Sequence, residues 1–320
     1  MLFLLYLVAL VIGLAALTWS ADRFINGAAG LASGLHLPPM VAGLLLVAFG
    51  TSAPEIMVSV LAALTGEPEL AVGNALGSNI ANVGLVLGLT TLIAPLPLQR
   101  SVLFRELPIL LAATAIAWLM IWDRELSPLD GVLFLLMLVA AMGYLMWRAK
   151  SGKGPASLEV PDVDASLSLG RALWQFSTGL LILVASARLL VWAASELALL
   201  LGVEPMIVGL TMVALGTSLP ELAASLTAAL KGHHEMALGN IVGSNLFNLL
   251  AVLAMPALLS PLALGRDSVL RDYGTMAGLT LLLAAFAYGM QRKGKLARLE
   301  GGILLAIYLG YIGWLAVTAR

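Results

Sequence analysis

Residues 48–55 read AFGTSAPE and residues 73–82 read GNALGSNIAN. Both stretches occur twice: residues 214–221 read ALGTSLPE and residues 239–248 read GNIVGSNLFN, each 166 positions further on. At that one offset, residues 40–96 align without a gap to residues 206–262, with 28 identities in 57 positions. A repeat of this strength sets the organisation of the chain before any local structure is considered. Weaker matches extend it: Arg105 and Glu106 lie over Arg271 and Asp272, and LDG at 129–131 lies over LEG at 299–301. The chain therefore divides into two halves, 1–148 and 169–320, which hold the repeats 40–96 and 206–262. The connector 149–168 is the only long polar segment, and its SGKGPAS and LEVPDVD runs suit a flexible cytosolic link.

Composition decides what surrounds the repeat. The 320 residues are 61% hydrophobic and 11% charged, against about 45–50% and about 25% in globular domains. A soluble single core is excluded. Seventeen basic and eighteen acidic residues leave a net charge of -1, so the basic excess of a nucleic-acid binder is missing. Cysteine is absent, which removes disulfides, thiolate metal sites and Cys nucleophiles. The remaining class is an all-α polytopic membrane protein.

A spanning helix needs about 20 mostly apolar residues. Ten stretches qualify, at 2–33, 38–64, 69–95, 103–122, 129–147, 171–200, 205–230, 235–259, 272–290 and 299–317. An even number puts both termini on one side. Cytoplasmic loops retain Lys and Arg, and eleven basic residues fall in one set of loops against four in the other. Both termini are thus expected outside a cell membrane, with the 149–168 connector inside. The first twenty residues lack a basic leader and a small-residue cleavage site, so they read as an uncleaved first span. Three spans separate the two repeated helix pairs, and an odd number of crossings makes the second copy enter from the opposite face. Two inverted five-helix halves with interrupted helices are the architecture of secondary transporters.

The chemistry lies in the repeats. Glu55 and Glu221 sit inside apolar spans, where an ionised carboxylate costs about 2.5–3.5 kcal/mol even on insertion scales. Pro54 and Pro220 precede them and cannot donate to the carbonyls of Gly50 and Gly216, so a break in each helix is expected there. Freed carbonyls and the hydroxyls of Thr51, Ser52, Thr217 and Ser218 then offer hard oxygen ligands. On the following helix Asn74, Ser78 and Asn82 recur at four-residue spacing and share a face, as do Asn240, Ser244 and Asn248. Gly73, Gly77 and their copies allow that face to press closely against the GTSxPE helix. Two carboxylates among neutral oxygens match one divalent cation, and Ca²⁺ accepts 6–8 oxygens in irregular geometry while Mg²⁺ holds its water. Na⁺ also fits, protons are natural competitors, and a softer metal would want His or Cys, neither of which lies in these spans.

The paired GTSxPE and GSNxxN motifs resemble the two alpha-repeats of the cation/calcium exchanger family, specifically its prokaryotic sodium/calcium exchangers, over essentially the whole chain. The resemblance implies ten helices in two inverted halves, four core ion sites, and alternating access by sliding of the long first and sixth helices. It makes Glu55 and Glu221, with the carbonyls of Thr51 and Thr217, the Ca²⁺ ligands. It places one outlying Na⁺ at the Ala48 carbonyl, Ser52 and Ser78, and its twin at the Ala214 carbonyl, Ser218 and Ser244. Asn82 and Asn248 fall at the central position, where many members carry an aspartate in place of Asn248. The connector is also too short for the Ca²⁺-binding regulatory domains of animal exchangers, so no regulation through such a domain is expected.

The expected activity is therefore Ca²⁺ exchange against Na⁺, with no cofactor beyond the transported ions and no obligate protein partner besides the bilayer. Exchange against H⁺, or with K⁺ involved, is the nearest alternative; an acid-lined cation channel is the distant one. An intramembrane hydrolase lacks its nucleophile and base, since Ser52 and Ser218 have no His at membrane depth. His36, His233 and His234 read as solvated loop residues, Arg188 as a snorkelling or paired side chain with gating as the alternative, and Trp122, Trp147 and Trp174 as interfacial anchors.

Overall fold

The computed structural model describes residues 2–98, 102–150, 168–202, 205–265, 268–289 and 294–318; the side chains of 103, 149, 150, 205–215 and 268 are outside that description. The connector expected to link the halves therefore lies largely outside the described residues. Nearly everything else is helix. The helices are α1 (Leu2–Gly34), α2 (Pro39–Leu64), α3 (Pro68–Ile93), α4 (Leu107–Met120), α5 (Pro128–Lys150), α6 (Leu169–Leu200), α7 (Pro205–Leu230), α8 (His234–Leu259), α9 (Gly274–Gly289) and α10 (Arg298–Thr318). Among the described residues eight of them, all but α4 and α7, are long and apolar enough to cross a membrane.

Local sequence explains the boundaries. Proline opens α2, α3, α5 and α7, where its missing N–H is one of the unpaired first-turn donors anyway. Gly66 and Gly232 close α2 and α7 at φ 83° and 81°, a left-handed conformation that glycine adopts without a Cβ penalty. Ser168 caps α6, accepting from the Arg171 amide at 3.4 Å.

Burial orders the helices into a centre and a rim. The apolar window of α8 is 89% buried and that of α3 is 72% buried, against 17% for both α5 and α10. Small residues permit the tightest crossings. A Cβ built on Gly43 in α2 would lie 2.4 Å from the Met236 carbonyl oxygen, and one on Gly239 in α8 would lie 2.4 Å from that of Met40. On the rim, α1 and α6 cross reciprocally. A Cβ on Gly27 would meet the Phe176 backbone nitrogen at 2.3 Å, one on Gly179 would meet that of Phe24 at 2.5 Å, and the two Phe rings lie 4.9 Å apart.

The helix axes carry irregularities at matched places. One π-helical turn spans Asn82–Leu87 in α3 and another spans Asn248–Val252 in α8. A second pair, Val102–Glu106 and Ser268–Tyr273, leads into α4 and α9. Gly43–Val47 in α2 is also π-helical. The break expected at the prolines is not found: α2 is helical from Ala48 to Leu64 through Pro54, and α7 from Pro205 to Leu230 through Pro220. Each proline deletes one backbone hydrogen bond without ending its helix.

Among the described residues, four two-residue strands tie helix ends together. β1 (Leu96–Pro97) follows α3, β2 (Glu125–Leu126) follows α4, β3 (Leu262–Ala263) follows α8 and β4 (Lys295–Leu296) precedes α10. β1 pairs antiparallel with β4, Leu96 opposite Leu296, and β2 with β3, Glu125 opposite Ala263. Every strand of one half is thus bonded to a strand of the other.

Candidate functional site

The two GTSxPE segments lie on α2 and α7, and the two Asn-Ser-Asn faces on α3 and α8. They meet across the halves. The Thr51 hydroxyl is 3.5 Å from that of Ser244, and the Ser78 hydroxyl is 3.5 Å from that of Thr217. These contacts are the same pair of positions read in either repeat, so α2 faces α8 and α7 faces α3. Thr51, Ser52, Glu55, Asn240, Ser244 and Asn248 are fully buried, and Ser78, Asn82, Ser218 and Glu221 are at most 3% exposed. Thr217 and Asn74 are half-buried. Ala48 is buried beside this group, whereas the side chain of Ala214 is outside the described residues.

The centre is rich in polar atoms that no described residue satisfies. Both carboxylate oxygens of Glu55 and of Glu221, the hydroxyls of Ser52 and Ser218, and all the amide atoms of Asn82 and Asn248 are buried without a hydrogen-bond partner. The hydroxyls of Thr51 and Ser52 face the Glu221 carboxylate without closing a hydrogen bond to it. One such atom costs about 1–3 kcal/mol, more when charged. A fold that gathers this many in one place fits a cation that takes oxygen ligands. No group of three or more His, Cys, Asp or Glu suited to a metal occurs among the described residues; the polar atoms around the two acids are hydroxyls and amides.

Asn74 and Asn240, expected with the rest of their stripes to line the oxygen cage, also bond to the acid-bearing helices. Asn74 donates its amide to the Glu55 carbonyl at 3.0 Å and to Ser59 at 3.0 Å. Asn240 repeats this toward the Glu221 carbonyl at 3.4 Å and Ser225 at 2.8 Å, and its Oδ1 accepts from Thr51 at 3.2 Å. These bonds lock each acid-bearing helix to the asparagine helix behind it. Ser59 and Ser225 were not among the residues singled out from sequence, although they are one of the identities of the repeat.

The two halves are not equivalent. Gly239 and Gly243 press on α2, a Cβ on Gly243 falling 2.7 Å from that of Ala48, while Gly73 and Gly77 have no such neighbour among the described residues. The α2/α8 side is sealed. Beside α7 lies a cavity of about 270 Å³, lined by Pro54, Val58, Arg188, Val191, Thr217 and Pro220 among others.

Comparison with known proteins bears on the same segments. The family model described as sodium/calcium exchanger protein matches residues 5–147 and 171–317. The putative antiporter CaxA of Alkalimonas amylolytica is 41% identical over 304 residues, covering 94% of this chain and 95% of its own. Inner membrane protein YrbG of Escherichia coli strain K12 is 35% identical over 313 residues, covering 96% and 95%. Among solved structures, that of the sodium-calcium exchanger NCX_Mj superposes with a TM-score of 0.82 at 30% identity, covering 97% of this chain and 98% of the other.

Proposed function

The chain belongs to the sodium/calcium exchanger protein family, and from that premise we propose that the centre between α2, α3, α7 and α8 is where the exchanged ions bind. The protein is a membrane antiporter that moves Ca²⁺ against Na⁺. The observation that carries the site reading is the pair of buried carboxylates, Glu55 and Glu221, whose four oxygens have no hydrogen-bond partner among the described residues.

The assignment runs outward from that pair. Glu55 and Glu221, with the carbonyls of Thr51 and Thr217, hold Ca²⁺. The Ala48 carbonyl, Ser52 and Ser78 hold one Na⁺; the Ala214 carbonyl, Ser218 and Ser244 hold its twin. Asn82 and Asn248 occupy the central position, and Asn74 and Asn240 orient the acid-bearing helices. Two negative charges are neutralised by one Ca²⁺ or by Na⁺ ions, never by both sets at once, because each needs the same carboxylates. That mutual exclusion is what makes the exchange obligatory.

We read the architecture as ten spans in two inverted five-helix halves with both termini outside. The strand pairing supports this. The ends of α3 and α8 are equivalent in the repeat, yet β1 after α3 bonds to β4, while β3 after α8 bonds to β2. If the halves ran parallel, β1 and β3 would share a face; in an inverted pair they lie on opposite faces. In that orientation the cavity beside α7 is on the outer half of the protein, and α1 with α6 forms the unit that moves against the remaining helices.

The test is Ca²⁺ uptake into proteoliposomes loaded with Na⁺ and diluted into Na⁺-free medium at clamped pH, with a K⁺-loaded control. Uptake should require internal Na⁺ and should be lost in both Glu55→Gln and Glu221→Gln. Normal transport by either variant would remove the site assignment, and uptake driven only by a pH gradient would replace Na⁺ with H⁺ as the counter-ion.

A further inference from the structure

Arg188 is the only charged residue among the described residues that line the cavity between α2, α6 and α7. It lies in α6 at about 5 Å along the axis from the middle of that helix, taking a rise of about 1.5 Å per residue. Its side chain is exposed on the cavity wall. Val184, Arg188 and Trp192 recur at four-residue spacing and form one face of α6. That face is held against α7, since a Cβ on Gly216 would lie 2.7 Å from Val191. Arg23, the other arginine inside a span, donates to Thr178 at 2.8 Å and lies over the Trp19 ring. Arg188 has no hydrogen bond or ion pair with any described residue. A cation at this depth is costly and marks an ion pathway more often than a packing contact.

The cavity abuts the cation centre. Pro54 and Thr217 line it; Pro54 is bonded to Glu55, and the Thr217 hydroxyl is 3.5 Å from Ser78. The geometry points to Arg188 as a specificity-determining residue, a fixed positive charge whose field weakens cation binding at the Glu55–Glu221 centre in proportion to valence. This rests on the site reading given above. A potential acts on Ca²⁺ with twice the energy it exerts on one Na⁺ at the same place, so its effect on the Ca²⁺ constant is the square of its effect on each Na⁺. The arginine thus weakens Ca²⁺ more than any single Na⁺, and lets Ca²⁺ leave a site that two carboxylates would otherwise hold too tightly, while a pair of Na⁺ ions together feels the same total change as one Ca²⁺. A residue that merely packed α6 against α7 would produce no such dependence on ion charge.

The experiment uses the full-length protein in proteoliposomes and ⁴⁵Ca²⁺ equilibrium binding to the purified protein, with Na⁺ as competitor. Arg188→Gln should lower the Na⁺ constant ~3-fold and the Ca²⁺ constant ~10-fold, the squared relation of a Coulomb field. Arg188→Met, which removes the charge and keeps an unbranched stem, carries the same expectation, and Arg188→Lys should keep the original constants. Equal shifts for the two ions, no shift, or an Arg188→Lys protein that behaves as Arg188→Gln would each overturn the inference. Glu55→Gln run alongside separates the two readings. If it still binds and transports Ca²⁺ the site assignment has failed, whereas a dead Glu55→Gln with unshifted Arg188→Gln removes only the role of Arg188.

Discussion

At the scale of single residues, the centre contains two kinds of polar group with different obligations. Glu55, Glu221, Ser52, Ser218, Asn82 and Asn248 keep atoms without a partner among the described residues, and on the site reading proposed above their truncation removes ion ligands. Asn240 has instead used both ends of its amide within the protein, on Ser225, the Glu221 carbonyl and Thr51. Asn240→Ala leaves those buried groups unmet, at about 1–3 kcal/mol, and should lower the thermal midpoint of the detergent-purified protein. Asn74→Ala makes the same change at a half-buried position, so its cost should be smaller. An Asn74→Ala protein that melts below Asn240→Ala would contradict the sealed and open sides described for the two halves. These roles were only partly legible in the sequence. The repeat names the residues, because an acid in an apolar span and a four-residue polar stripe have few other uses. It cannot say which end of an amide is already engaged, because that depends on Ser59 and Ser225 meeting the stripe across two helices.

At the scale of the helices, close approach is concentrated at a few glycines, and that gives a test with a change of sign. Gly239→Ala puts a Cβ 2.4 Å from the Met40 carbonyl, so α8 and α2 must separate, at about 1–3 kcal/mol for an overpacked core position. Gly302→Ala, in α10, meets only the end of Leu92 at 3.9 Å and should instead gain up to about 1 kcal/mol of helix propensity. Thermal denaturation of the two proteins in one detergent separates these outcomes, and a Gly239→Ala protein as stable as the parent would show that the α2–α8 crossing is looser than described. Local rules read from sequence fail at this scale for a physical reason. Proline chemistry indicated breaks at Pro54 and Pro220, yet those helices run through them, and the irregularities appear at Gly43–Val47, Asn82–Leu87 and Asn248–Val252. A π-helical turn is fixed by tertiary contacts and leaves no periodic signature. The α1–α6 crossing did leave one, Phe-x-x-Gly at 24–27 and again at 176–179. It is spaced by 152 residues where the rest of the repeat is spaced by 166, so the alignment that revealed the repeat passed over it.

At the scale of the whole molecule, the central claim is that two similar halves insert with opposite orientation. Counting spans gives that result only if all ten cross, and eight meet the requirement of length and apolarity among the described residues. The strand pairs offer an independent handle. Ala263 on β3 pairs with Glu125, and Lys295 on β4 pairs with Pro97, so each of these two positions reports the face on which its strand pair lies. The chain contains no cysteine, which makes single-cysteine labelling free of background. With both termini outside, β2 and β3 lie on the outer face and β1 and β4 on the inner face. Ala263→Cys in sealed right-side-out vesicles should therefore react with a membrane-impermeant maleimide. Lys295→Cys should react only after the vesicles are opened or inverted. Labelling of both from one side would mean that the halves run parallel. In that case Glu55 and Glu221 could not be offered in turn to opposite faces by one movement of α1 and α6, and alternating access would need a different moving part. The reverse pattern, Lys295→Cys reacting first, would leave the inversion intact and turn the protein over, placing the cavity beside α7 on the cytosolic half and making it the route by which Ca²⁺ is collected from the cell.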